Sequence, residues 1–317
     1  VTKPVQITLA GYQGPGSVHT RGLEMLREAL VARLGNRVEV VLQPNVAQAG
    51  HKTADLPALT ESGEVTACYI SSSYLAERVP ALSLFDMPFA APTRARTFSL
   101  LDGALGARFG EEIKAHTGLT LLGIWDNGIR HLASAAKPLR APQDCQGLSL
   151  RTLPNADHQT IFRALGFSPQ VIDAKDLAQA VAAGQVDAHE NPLTNTYNFD
   201  LHKTLPTITL TGHLMGIALL LVNRQWFQDL PQDIRQAMTA AALKASRQQR
   251  ALAAQEDAVS ARALEAAGAT LFELTPAEHA AWRKAAEPEV ARSRARLDAE
   301  LLTMFDSDLK EEGRALV

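Results

Sequence analysis

Two arginines and an amide carry the clearest chemistry in this sequence. Arg130 closes the run Asn127-Gly128-Ile129-Arg130. Arg151 closes Gly147-Leu148-Ser149-Leu150-Arg151, and Asn191 stands in Glu190-Asn191-Pro192, just after Gly184-Gln185-Val186-Asp187. Leu148 and Leu150 alternate with polar neighbours, so Arg151 falls where a short buried strand would deliver its side chain at a sheet end. Ligands of open α/β folds bind at such ends. Either arginine alone reads first as a solvated or ion-paired residue, because charged side chains are mostly solvated. The sharper reading of such an arginine is a fork aimed at an anion, because a guanidinium offers paired N–H donors that match the two carboxylate oxygens. Glu190, beside Asn191, reads as structural, since its charge would repel an acid.

Other chemistries lack their residues. His189 and His213 have no partner at helical spacing and no His-Glu-x-x-His pattern, and no Gly-x-Ser-x-Gly elbow accompanies them. The loop Tyr12-Gln13-Gly14-Pro15-Gly16-Ser17 lacks the Gly-x-Gly-x-x-Gly and Gly-Lys-Ser/Thr spacings of nucleotide sites. Cys68 and Cys145 lack metal-ligand spacing and leave a single disulfide open. The expectation is an anion clamp that holds rather than converts, with no catalytic residue, cofactor or metal.

The elements that must position the clamp follow from periodicity. The chain has 317 residues, enough for two ordinary domains, and 46% hydrophobic with 21% charged residues is the balance of a folded globular protein. A net charge of −3 with mixed signs offers no face for nucleic acid or an anionic membrane surface. The longest apolar run, Leu214 to Val222, is too short to cross a bilayer, and no signal-type segment is visible; the sequence reads as cytosolic or as a mature form.

Val5 to Leu9, Val38 to Leu42 and Val65 to Ile70 read as strands. The first helix follows Ser17 or Thr20 as its cap, and Ser71-Ser72-Ser73-Tyr74 reads as a loop at ligand height. Helices are expected over Ala54 to Ser62 and Thr93 to His116, the latter broken near Gly103 to Gly106, followed by a strand from Leu119 towards Arg130. Strands at Leu148 to Leu150, Gln170 to Ile172, Val186 to Ala188, Ile208 to Thr211 and Gly216 to Asn223 alternate with helices at Ala156 to Leu165, Ala174 to Ala183 and Leu193 to Phe199. A helix from about residue 231 to 267, at roughly 1.5 Å per residue, is on the order of 55 Å long and must span both domains. Thr270 to Leu274 reads as a last strand, with helices after Pro276.

The ordered set Asn-Gly-x-Arg, Pro-x-Asp-x-x-Gly-Leu-x-Leu-Arg, Leu-Gly-x-x-Pro and Gly-x-Val-Asp-x-x-Glu-Asn-Pro occurs here at Asn127 to Arg130, Pro142 to Arg151, Leu165 to Pro169 and Gly184 to Pro192. It resembles the solute-binding proteins of TRAP transporters, the DctP-like family of tripartite ATP-independent periplasmic carriers, and the resemblance extends over essentially the whole chain. The resemblance implies an α/β, two-domain periplasmic-binding-protein-like fold with a hinge, a ligand cleft between domains and a long helix spanning both. It places domain I at residues 1–127 plus about 213–252, and domain II at 128–212 plus about 253–317.

It also implies that Arg151 pairs with the ligand carboxylate, that Arg130 is the second arginine and that Asn191 steadies the same group. Gln13, Tyr12, Ser72, Ser73, Trp125, His213 and Ala174 are the further candidates to line the pocket, with Phe167 beside them. Sialic-acid-binding members carry an aromatic ring where this chain has Ala174, so the pocket should be wider there or filled by a bulkier part of the ligand. The family's glycine after Val-Asp is Ala188 here. The implied partners are a small organic carboxylate and TRAP permease subunits in the membrane, for a monomeric, periplasmic, non-enzymatic protein. A soluble enzyme acting on a carboxylate and a sensor-associated binding protein are the alternatives.

Overall fold

The computed structural model describes residues 3–91 and 93–306. The nine strands among the described residues are β1 (Val5–Ala10), β2 (Val38–Gln43), β3 (Ala67–Ser71), β4 (Leu119–Ser134), β5 (Ser149–Thr152), β6 (Ser168–Val171), β7 (Ala188–Pro192), β8 (Thr207–Asn223) and β9 (Thr270–Glu273). They form one mixed sheet in the order β2-β1-β3-β8-β4-β7-β5-β6, with β9 added alongside β8. At one end β1 lies parallel to β2 and β3; at the other, β5 lies parallel to β6 and β7. The antiparallel pair β4 and β8 joins the two ends.

These two strands build the hinge. β4 has 16 residues and β8 has 17, each roughly 55 Å of extended chain, enough to run through both lobes. Their ladder slips between Asp126 and Ile129 and again between Arg130 and Leu132. Gly128 sits in the first slip with φ of 82°, and a Cβ there would lie 2.6 Å from Cβ of Pro192, so the bend requires glycine. Where the sequence suggests two strands, Ile208 to Thr211 and Gly216 to Asn223, the structure has the single strand β8, which bends at Gly212. It also moves the strand expected at Val186 to Ala188 onto Ala188–Pro192, where the polar run Glu190-Asn191 is buried.

Helices cover the sheet and divide its apolar contacts into cores. Ser17 caps the helix Val18–Leu34 by accepting the Thr20 N–H, and that helix buries Leu23, Leu26, Leu30 and Leu34 in the first core with β1, β3 and the lower half of β4. Two smaller clusters form the second lobe, one around Ile161, Phe162 and Trp282, the other around Leu177, Val181 and Leu264. The 35-residue helix Gln232–Ala266 places Ala241, Ala242 and Ala245 in the first core and Leu264 in the third, so it bridges the lobes. The sequence expectation put everything after about residue 253 with the second domain. Leu301 and Phe305 instead pack in the first core, Phe305 edge-on to Phe85. Cys68 and Cys145 are free, buried thiols in different clusters, so the disulfide left open by the sequence is not formed.

Candidate functional site

Strand register brings the chemistry together. On β4 and β7, Arg130 pairs with Pro192, His131 with Asn191 and Leu132 with Glu190; on β5 and β7, Arg151 pairs with His189. Three neighbouring strands thus carry Arg130, the Glu190-Asn191 pair and Arg151 to one height in the sheet. The adjoining loops and helices close over them and leave a small cavity of about 20 Å³, lined by Tyr12, Ser71 and Tyr74 from the first lobe, Asn127 at the hinge, and Leu153, Ala174, Leu177, Asn195 and Phe199 from the second. It lies between the lobes, where binding clefts of two-lobed folds sit.

The two arginines have different surroundings. Arg130 is buried and paired with a carboxylate: its Nε donates to Glu190 Oε2 at 2.5 Å, and its Nη2 to Glu190 Oε1 and the Glu190 carbonyl, both at 2.7 Å. A longer contact of 3.4 Å reaches Asn191 Oδ1. Burial pulls the Glu190 carboxyl up, but Arg130 and then His213, 3.3 Å away, pull it further down, and it rests well below the usual carboxylate range. A buried pair of this geometry is self-sufficient. Arg151, equally buried, gives its Nε to the Ile172 carbonyl at 2.8 Å, and no carboxylate among the described residues pairs with its terminal nitrogens. Those nitrogens face the cavity beside the Tyr74 hydroxyl.

Neutral polar groups complete the walls. Asn127 Oδ1 is buried without a hydrogen-bond partner, and the buried Tyr74 hydroxyl lies against the Arg151 guanidinium and the Ala174 N–H. Burial pushes the Tyr12 and Tyr74 hydroxyls up, Arg151 pulling back on both, so both stay protonated at neutral pH. Asn191 Oδ1 also accepts from Asn195 Nδ2 at 3.5 Å. His189 is buried and pushed down to about 3 by burial, hence a neutral ring.

Of the residues expected at the site, Arg130, Arg151, Asn191, Tyr12 and Ala174 line one cavity. The others stand elsewhere. Gln13 is buried below the loop, donating to Asn195 Oδ1 at 3.3 Å and facing His19 at 3.1 Å. Ser73 turns away to Asp86 at 2.5 Å and Ser72 is buried, so the loop shows the cavity Ser71 and Tyr74 instead. Trp125 stacks on Tyr69 and donates to Ser246 in the first core. His213 backs Glu190 and borders a separate small cavity with Phe89 and Arg94, and Phe167 packs against Phe162. Asn127, Leu153, Leu177, Asn195 and Phe199 were not singled out, though Asn127 lies in the Asn-Gly-x-Arg run and the tyrosine of the serine-rich loop was in view.

The lobes meet at a second buried polar junction. Asp86 of the first lobe accepts from Ser73, from Asn155 Nδ2 at 3.1 Å and from His158 Nε2 at 2.9 Å, the last two belonging to the second lobe. Asp173, capping the helix Ala174–Ala182, also accepts the N–H groups of Thr53 and Ala54 across the gap at 3.1 and 3.3 Å. A larger groove outside this junction, at Glu77, Pro80, Asp157 and Arg296, has its Arg296 already paired with Asp157. Among the described residues no group of three or more His, Cys, Asp or Glu could hold a metal ion, and no helix is long and apolar enough to cross a membrane.

Comparison with known proteins agrees with this architecture. The family model of bacterial extracellular solute-binding proteins, family 7 (DctP), matches residues 9–296. The uncharacterized protein y4mM of Sinorhizobium fredii is 31% identical over 254 residues, 80% of this chain, and the match spans 46% of that protein, less than half its length. The C4-dicarboxylate-binding periplasmic protein DctP of Rhodobacter capsulatus is 27% identical over 308 residues, 95% of this chain and 90% of that one. The crystal structure of the sugar acid binding protein DctPAm from Advenella mimigardefordensis, in complex with galactonate, shares the fold with a TM-score of 0.92 at 23% identity, covering 98% of this chain and 99% of the other.

Proposed function

This chain belongs to the bacterial extracellular solute-binding proteins of family 7, and on that premise we propose that its cleft captures a small organic acid, with Arg151 as the principal carboxylate partner. The observation that carries the reading is the Arg151 guanidinium, buried between the lobes, aimed into the cavity and without an acidic partner among the described residues. A desolvated cation of this kind is costly unless an anion meets it. Asn191 and Asn195 stand beside that position as directional amides, and Tyr74 and Asn127 offer hydrogen bonds to the rest of the molecule. Relatives named for C4-dicarboxylates and for a sugar acid support an organic acid as cargo.

The protein would work as a monomer in the periplasm, closing its lobes about the hinge at Asn127-Gly128 and Gly212 and handing the acid to TRAP permease subunits in the membrane. Hinge closure over ligand is the motion that a two-lobed scaffold with a central cleft supports. The test is a thermal-shift screen against organic acids, repeated with Arg151→Ala. A ligand at about 100 times its Kd adds roughly 2.7 kcal/mol to the folded state, a readily seen rise in Tm. Acids of one shape should raise the wild-type Tm and leave the variant unmoved; a response that survives the substitution would remove Arg151 from the site.

A further inference from the structure

We infer that the cleft takes a short-chain acid, of glycerate to succinate size, and rejects chains as long as a sugar acid, because the lobes fasten to each other around Arg151 and Tyr74 crosses the gap between them. The inference rests on the carboxylate reading above and adds a limit on length, whatever charge the acid carries.

The space at Arg151 is enclosed by the protein's own contacts from lobe to lobe. Beside the lining residue Ala174, Asp173 accepts the N–H groups of Thr53 and Ala54 at 3.1 and 3.3 Å. Beside Tyr12, Gln13 Nε2 donates to Asn195 Oδ1 at 3.3 Å. Close to Leu153, Asn155 Nδ2 donates to the Ser73 carbonyl at 3.0 Å. Among these contacts Tyr74 reaches over from the first lobe. Its ring packs on the first core and lies tilted to Tyr12, with centroids 6.4 Å apart, while its hydroxyl lies against Arg151 and the Ala174 N–H of the second lobe. Ala174 packs on the first core too, and Tyr74 stands in the room that a methyl side chain leaves there. What remains is about 20 Å³, on the order of one water site.

A small acid asks only for a slight shift of these walls. Each further carbon has to displace packed side chains or break a hydrogen bond between the lobes, and packed interiors resist added volume. Tyr74 is therefore a specificity residue that acts by filling space, and Asp173 a positioning residue that holds the lobes together beside it. Exclusion of a competitor by steric conflict is a general route to specificity.

Acids that differ in length at constant charge test this by calorimetric titration of the wild-type chain: glycerate, threonate and gluconate; lactate, 2-hydroxybutyrate and 2-hydroxyhexanoate; succinate and adipate. In the series that binds, the longest member should be weaker than the shortest by at least about tenfold. A smaller drop, or tighter binding of the longest member, overturns the inference while leaving the carboxylate reading intact. If no acid of any series binds, that underlying reading fails and the inference with it. Tyr74→Ala, which removes the ring from the gap, should move the ratio at least about tenfold towards the longest member. Should Tyr74→Ala fail to fold, Asp173→Ala, which unfastens Thr53 and Ala54, should move the ratio the same way. An unchanged ratio in the folded variant overturns the role given to these residues.

Discussion

The lobes of this protein meet at two buried polar places, and the two are built on opposite principles. At the Asp86 junction the carboxylate accepts from Ser73, Asn155 and His158, three donors drawn from both lobes. In the cleft, Arg130 is matched by Glu190 while Arg151 has donors left over. A buried charge whose partners are complete holds structure together, whereas one whose partners are incomplete is poised for something that arrives. The difference separates residues that look alike in composition: Ser73 serves the junction and Ser71 the cleft, two positions apart.

The sharpest way to break the comparison is to remove the charge at each place. Arg151→Ala should cost about 2 to 5 kcal/mol of ligand affinity, roughly 30-fold to several thousand-fold, measured by titration. The Tm without ligand should hardly fall, because the arginine has no acidic partner to strand. A large fall in Tm with affinity preserved would assign Arg151 to the scaffold instead.

Acid should act on stability through buried neutral rings. His19 and His189 are both pushed down to about 3 by burial, so between pH 6.5 and 3 the unfolded chain binds protons that the folded chain does not. Stability should therefore fall as pH falls, by about 1.4 kcal/mol per unit for each histidine. Glu190, held low, adds to the loss below about pH 4.5. Asp126 is pushed up to about 6 by burial against the pull of Arg94, and opposes it between about pH 4 and 6. Melting curves against pH should be flatter for His189→Asn than for wild type; identical slopes would show that this ring takes up its proton in the folded protein.

At the junction, Asp86→Ala should destabilise the chain by about 3 kcal/mol, since it strands Asn155 and His158 in a buried setting. Selectivity among acids should stay unchanged, which denaturant melts paired with titration would establish. Ser73→Ala should be the mildest change, about 1 kcal/mol, because Asp86 keeps two donors. Loss of affinity from Ser73→Ala would return that serine to the ligand.

Legibility in the sequence tracked the range of the interactions. Arg130, Arg151 and Asn191 were visible because each sits in a local run with turn signals, and the helix Gln232–Ala266 because proline opens it and Gly268 follows its end. β8 reads as two strands in the sequence because Gly212 interrupts the apolar pattern between Thr211 and Gly216, yet that glycine lies inside one strand that bends at the hinge. β7 was misplaced because a polar Glu190-Asn191 pair before Pro192 is unlike a buried strand; the distant Arg130 and His213 make its carboxylate tolerable there. The facing of Trp125, His213 and the serine loop depends on packing between segments far apart in sequence, and residue type alone carries none of that. The placement of Leu301 and Phe305 in the first core is of the same kind.

The most direct test is a crystal structure of the chain with its tightest-binding acid. The ligand carboxylate should lie about 2.7 to 3 Å from the terminal nitrogens of Arg151, with the Arg130–Glu190 pair intact beside it. A carboxylate seated on Arg130 with Glu190 turned away, or an acid bound outside the cleft, would contradict the assignment of the two arginines.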